Sequence, residues 1–230
     1  MKDQRICIIP ARGGSKRLPR KNIIDFDHKP IISYTILSAI ESDLFKNVIV
    51  STDDEEIADI SSNYGADIDI RNKKLATDEA RVVNVCLDFL NTQKSIGNHY
   101  DVLCCLYPTA PLRNVEDIIN SINLLENENC NSVMAVTEFH YPCHQALKMD
   151  KDNYLNPMWP DLVSKRSSEL PKLYVDNGST YSVKVEQFIK EETFILNPFK
   201  GYIMPRNRSV DIDNNSDLDL AKYYMNKIKN

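Results

Sequence analysis

The sequence predicts an α/β fold built on a doubly wound, mostly parallel sheet, and three observations lead there. Segments of strand length recur at 6–9, 48–51, 66–70, 101–107 and 132–137, those at 6–9, 48–51 and 101–107 as apolar runs. Segments with helical apolar spacing separate them, the βαβα order that a parallel sheet needs. A length of 230 residues, 42% apolar and 27% charged, suits a single domain with a sizeable core.

Each element has a local reason. The run 6–9 ends at Pro10, and the turn 11–22 follows. Pro30 opens a helix whose Ile31, Ile32, Thr35 and Ile40 form one stripe. Asp53 and Asp54 offer caps for a helix that stops at Gly65. A loop at 71–79 leads to a helix over 80–90, and Asn114 caps another that reaches about residue 125. Ser216 is expected to cap the last helix, acidic in its first turn and basic in its last. Residues 203–205 and 210–213 read as short extended pieces. Residues 138–175 break the pattern, with four prolines, the single Trp159 and no helical period. They read as an inserted arm that meets a second copy in a homodimer; the alternative is a flap folded on the same domain.

Composition excludes several classes. The net charge of −5 argues against nucleic acid held by overall charge. No apolar run approaches the ~20 residues of a membrane span, and the apolar stretch near the start is too short for a secretory signal. The six cysteines form no CxxC pair and read as reduced core thiols, so a cytoplasmic protein is expected.

In open α/β sheets ligands bind beyond the carboxyl ends of the strands, which here points to the loops at 10–22, 51–54, 71–79 and 107–113. The first is the most informative. Arg12, Lys16, Arg17, Arg20 and Lys21 crowd a turn that holds Gly13, Gly14 and Ser15 and no acidic residue. Glycine amides, a hydroxyl and several cations are what a polyphosphate requires. Neither GxxxxGK[ST] nor GxGxxG is present, which disfavours a kinase or a dinucleotide-dependent dehydrogenase. Late in the chain, extended alternation puts Asp211 and Asp213 on one side and Ile212 on the other. Two carboxylates on one side suit Mg²⁺, although such a pair alone is often only solvated. Together the two motifs read as nucleotidyl transfer, with lysine and arginine side chains of the turn holding the leaving pyrophosphate and Mg²⁺ offsetting its charge.

These residues also form a recognisable pattern. IIPARGGSKRLPRKNI at 8–23 resembles the N-terminal signature of the acylneuraminate cytidylyltransferases, the CMP-sialic acid synthetases. The resemblance continues through STDDEEIADIS at 51–61, YGADIDIRNKKLATDEA at 64–80, YPTAPLRNVEDI at 107–118, NGSTYSV at 177–183 and MPRNRSVDIDNNSDLDLA at 204–221. It implies a Rossmann-like domain of the nucleotide-diphospho-sugar transferase type with a small dimerisation arm. It implies CTP and Mg²⁺ as the means of activating a nine-carbon 2-keto sugar acid. Arg12 and Lys21, with Gly13, Gly14 and Ser15 and help from Lys16, would hold the CTP phosphates, and Asn22 would meet the nucleotide. Arg71 and the Ala76 backbone would frame the cytosine. Asp211 and Asp213 would hold the metal, and Tyr181 would line the sugar pocket, unless it is a core residue.

The sequence departs from the sialate pattern at Tyr107, where those enzymes usually carry glutamine. A tyrosine there is similar to the pseudaminic acid branch, as is the stretch containing Arg166, which could meet the sugar carboxylate. The HDAG-like segment of that branch is replaced by VDNG at 175–178. Pseudaminate, legionaminate and N-acetylneuraminate all fit. The alternatives are a KDO cytidylyltransferase, disfavoured by Gly13, Gly14, Ser15, Lys16 and Asn22, a sugar-1-phosphate nucleotidyltransferase, and a nucleotide-binding module without turnover.

Overall fold

A computed structural model describes residues 2–77 and 79–229. Its strands are β1 (Arg5–Pro10), β2 (Asp25–Phe26), β3 (Lys29–Pro30), β4 (Asn47–Thr52), β5 (Asp67–Ile70), β6 (Val102–Leu106), β7 (Ser132–Glu138), β8 (Leu147–Met149), β9 (Leu155–Pro157), β10 (Tyr174–Lys184) and β11 (Phe199–Ile203). The helices are α1 (Ile31–Glu41), α2 (Glu55–Asn63), α3 (Val82–Ser95), α4 (Val115–Asn127), α5 (Val185–Glu191) and α6 (Asn215–Lys229).

Among the described residues the main sheet has seven strands in the order β11-β7-β10-β6-β1-β4-β5. β1 pairs parallel with β4 and β6, while β10 runs antiparallel between β6 and β7. Alternation divides the core across the sheet. Cys7, Ile9, Val50 and Cys104 face α1, α2 and α4, meeting Ile36, Ile57 and Ile118. Ile6, Ile8, Ile49 and Cys105 face α3 and α5, meeting Val83, Leu90 and Phe188. The mostly parallel doubly wound fold is therefore present. Among the described residues no helix is long and apolar enough to cross a membrane.

A third apolar cluster positions the site. It joins Leu18, from the middle of the basic turn, to Val210 and Ile212, and to Leu218, Ala221 and Met225 of α6. Burying a leucine such as Leu18 contributes about 1.5–3 kcal/mol. Because Leu18 and Ile212 share one core, the cations around the first must face the carboxylates around the second.

Several local expectations change. Residues 210–213 join no ladder; Ile212 N–H donates to Thr109 O at 2.9 Å instead. Asn214, not Ser216, caps α6, since its Oδ1 accepts the Asp217 N–H at 3.1 Å. β10 and α5 were not expected, because polar Asn177, Ser179, Thr180 and Ser182 hide the strand and a bulge interrupts its alternation. Within 138–175, β8 and β9 form an antiparallel hairpin. Its Leu147, Met149 and Leu155, with the nearby Met158 and Trp159, are exposed. The segment's two ends belong to β7 and β10.

Candidate active site

The basic turn leaves the carboxyl end of β1, beside the end of β4. Ala11 N–H donates to Ser51 O at 2.9 Å, and the buried Asn22 donates from Nδ2 to Arg12 O at 2.9 Å, closing the neck of the turn. Gly13 N–H donates to Asp53 Oδ1 at 3.0 Å. A Cβ at Gly13 would lie 2.5 Å from Asp54 Oδ2, so only glycine fits, whereas Gly14 faces open space. Asp54 caps α2 through Ile57 N–H and also binds Arg20, whose hydrogen bond holds the Asp54 carboxyl below the usual range. The acid pair expected only as caps thus also shapes the basic turn.

Across the site, Lys21 Nζ lies 2.8 Å from Asp213 Oδ1, and Arg17 Nη1 lies 2.8 Å from Asp213 Oδ2. Burial pushes the Asp213 carboxyl up, but Lys21 and Arg17 outweigh it and hold it low. Asp211 is buried more deeply, and that burial raises its pKa against the hydrogen bond from Thr109 Oγ1 at 2.5 Å. Among the described residues no group of three or more His, Cys, Asp or Glu could hold a metal by itself. The Asp211 and Asp213 pair is nonetheless a hard-oxygen donor set of the kind that binds Mg²⁺ together with substrate oxygens.

The structure brings Lys21, Asp211 and Asp213 together with Arg17. Arg12 and Ser15 are half-buried in the same turn and Lys16 is exposed. Arg71 is buried and donates to Ser51 O at 2.7 Å and Leu75 O at 3.3 Å, tying the loop after β5 to the end of β4. Burial lowers its pKa, with Asp53 and Asp69 opposing. The Ala76 N–H donates to Lys73 O in that same loop. Tyr107 and Tyr181 pack ring to ring at 5.1 Å, and Tyr181 is a core residue, stacked on Phe194 at 5.0 Å; the Tyr181 hydroxyl donates to Asp176 at 2.8 Å. Burial raises both phenols far above the usual tyrosine range. Arg166 stands apart on the exposed arm, where its N–H donates to Glu169 at 3.3 Å.

Three residues escaped sequence reasoning. Thr109 and Asp176 contact site residues directly. Arg113 is fully buried and donates to Ser179 O at 2.8 Å, Thr35 Oγ1 at 2.7 Å and Tyr107 O at 3.4 Å. The signal for Thr109 and Arg113 was their place immediately after an apolar strand. A cavity of about 910 Å³ lies at the opposite, amino-terminal edge of the sheet, lined by Arg5, Lys94, Glu126 and Lys184, remote from this machinery.

Cations and carboxylates that meet at the carboxyl edge of such a sheet are the parts of a nucleotidyl-transfer centre. Residues 6–158 match the family model described as Cytidylyltransferase. The chain is 40% identical to a pseudaminic acid cytidylyltransferase of Campylobacter jejuni over 94% of both proteins. It is 34% identical to an N-acylneuraminate cytidylyltransferase of Escherichia coli, over 96% of this chain and 52% of that one. A solved CMP:2-keto-3-deoxy-manno-octonic acid synthetase complexed with CTP shares the fold, with a TM-score of 0.73 at 15% identity, covering 98% of this chain and 99% of that one. The chain belongs to the cytidylyltransferase family, and is a nucleotidyltransferase.

Proposed function

We propose that the chain transfers CMP from CTP to a nonulosonic acid, a nine-carbon 2-keto sugar acid such as pseudaminate, legionaminate or N-acetylneuraminate. The anomeric hydroxyl oxygen bonds to the α-phosphorus of CTP. The bond from that phosphorus to the β-bridging oxygen breaks, pyrophosphate leaves, and the hydroxyl proton passes to solvent. The convergence of Lys21 and Arg17 on Asp213, enforced by the shared Leu18–Ile212 core, is the observation that carries this reading.

Each group then has a task. Arg12, Lys16, Lys21 and the Gly13–Ser15 backbone hold the phosphates and neutralise the charge that develops on the leaving pyrophosphate. Asp211 and Asp213 would hold Mg²⁺, which supplies positive charge beside the phosphate oxygens. Asn22 fixes the turn that meets the nucleotide, and Arg71 with the Ala76 backbone frames the base. Tyr107 forms the wall against which the sugar rests, with the buried Tyr181 packed behind it. The relatives that act on pseudaminic and N-acylneuraminic acids support this acceptor class. The exposed apolar hairpin supports a homodimer built through the arm. Six free thiols suit a reducing compartment, and we place the reaction in the cytoplasm.

The test is pyrophosphate release with CTP, Mg²⁺ and a panel of N-acetylneuraminate, pseudaminate, legionaminate and KDO. Release with a nine-carbon acid is expected. Release with KDO alone, or with none of the four, would overturn the assignment.

A further inference from the structure

Strand β10 leaves its ladder with β7 after Asp176 and resumes it at Tyr181. Within that bulge Gly178 has φ +63, and its N–H donates to Asp176 Oδ1 at 3.0 Å. A Cβ at Gly178 would lie 2.6 Å from Asp211 Oδ2, so the bulge rests directly on Asp211. Asn177 pins it from the other side: Nδ2 donates to Ser209 Oγ at 3.0 Å, and Oδ1 accepts Ser179 N–H at 3.2 Å.

Asp176 itself remains exposed in this rigid frame. Tyr181 Oη lies 2.9 and 2.8 Å from its two carboxylate oxygens. One phenol proton and one amide occupy only part of a carboxylate that can accept about four hydrogen bonds. Among the described residues no lysine or arginine is ion-paired with Asp176. Tyr181 is locked between Phe194 and Tyr107, so the carboxylate it holds has a fixed place in the wall of the acceptor pocket.

We infer that Asp176 is a specificity-determining residue, whose spare lone pairs accept hydrogen bonds from hydroxyl or amide N–H groups of the acceptor sugar. This rests on the acceptor reading above. An acceptor-only, negatively charged group selects donors and repels the sugar's own carboxylate. It therefore turns that carboxylate toward Lys21, Arg17 and the metal side of the pocket. The phosphates of CTP carry no donors that Asp176 could read.

The experiment measures steady-state KM and kcat for sugar and for CTP in wild type, Asp176→Asn and Tyr181→Phe, with CTP binding by calorimetry. Asp176→Asn keeps an acceptor for Tyr181 and Gly178, so its melting temperature should match wild type. Its KM for the sugar should rise about 10-fold or more, the size expected for one charge-assisted hydrogen bond. Its KM for CTP and its CTP affinity should stay within about twofold, and Tyr181→Phe should show a smaller rise in the same direction. An active wild type with an unchanged sugar KM in Asp176→Asn would overturn this inference alone, as would equal rises for sugar and CTP. A wild type inert toward every nonulosonic acid would overturn the acceptor reading and this inference with it.

Discussion

Lys21 Nζ sits 2.8 Å from Asp213 Oδ1, so a cation expected on phosphate rests on a carboxylate expected on metal. Arg17 occupies the second oxygen of the same carboxylate. If Asp213 is to serve a metal ion, both cations must first leave its carboxylate. Lys21→Met should therefore bind Mn²⁺ more tightly than wild type in the absence of nucleotide, read by electron paramagnetic resonance. The same variant should lose about 10-fold or more in CTP affinity by calorimetry. Unchanged Mn²⁺ affinity would separate the two roles.

Gly13 has no room for a methyl group against Asp54. Gly13→Ala should push the turn off Asp54 and Asp53 and cost at least about 10-fold in CTP affinity. Far-UV circular dichroism should be unchanged, because the turn lies outside the sheet.

Arg113 joins β6, β10 and α1 through acceptors that are themselves buried. Arg113→Met would take the donor from Thr35 Oγ1, while Ser179 O keeps the Tyr107 N–H at 3.1 Å, and should cost about 1–3 kcal/mol. Thermal unfolding of a chain this size should then shift down by roughly 2–4 °C for each kcal/mol lost. A melting temperature equal to wild type would show that the acceptors find other donors.

Tyr107 presents a partly buried ring beside Tyr181. Tyr107→Gln should reorder the relative kcat/KM values among nonulosonic acids and leave CTP affinity within about twofold. A collapse of CTP binding would move Tyr107 out of the acceptor pocket.

Met149 and Leu155 are more than half exposed on the arm hairpin. If that hairpin meets a second copy, light scattering should report a dimer for wild type and a monomer for the double variant Met149→Asp, Leu155→Asp. A wild-type monomer would remove the arm's dimer role.

The sequence made the parallel half of the sheet readable because each buried strand is a continuous apolar run, as at Ile6, Ile8, Leu103 and Cys105. The glycine turn was readable because five cations without an acid stand out locally. What stayed hidden depends on distant partners. Nothing near Asp53 announces that it will accept the Gly13 amide forty residues away. Nothing near Asp176 announces a bulge, since Asn177, Gly178 and Ser179 carry the composition of an ordinary loop. Asp211 and Asp213 were recognised by alternation, but Thr109 and Lys21 become their neighbours only through tertiary packing.

The antiparallel insertion of β10 between β6 and β7 has a consequence for biogenesis. While the chain emerges from the ribosome, β5, β4, β1 and β6 can assemble side by side, but β7 has no neighbour in the sheet. It waits for residues 174–203, which supply β10 on one flank and β11 on the other. Such long-range pairing forms slowly and leaves strand edges open in the meantime. The strand that ends this wait also delivers Asp176, Gly178 and Tyr181, so a half-made chain has neither a finished sheet nor the bulge that packs on Asp211.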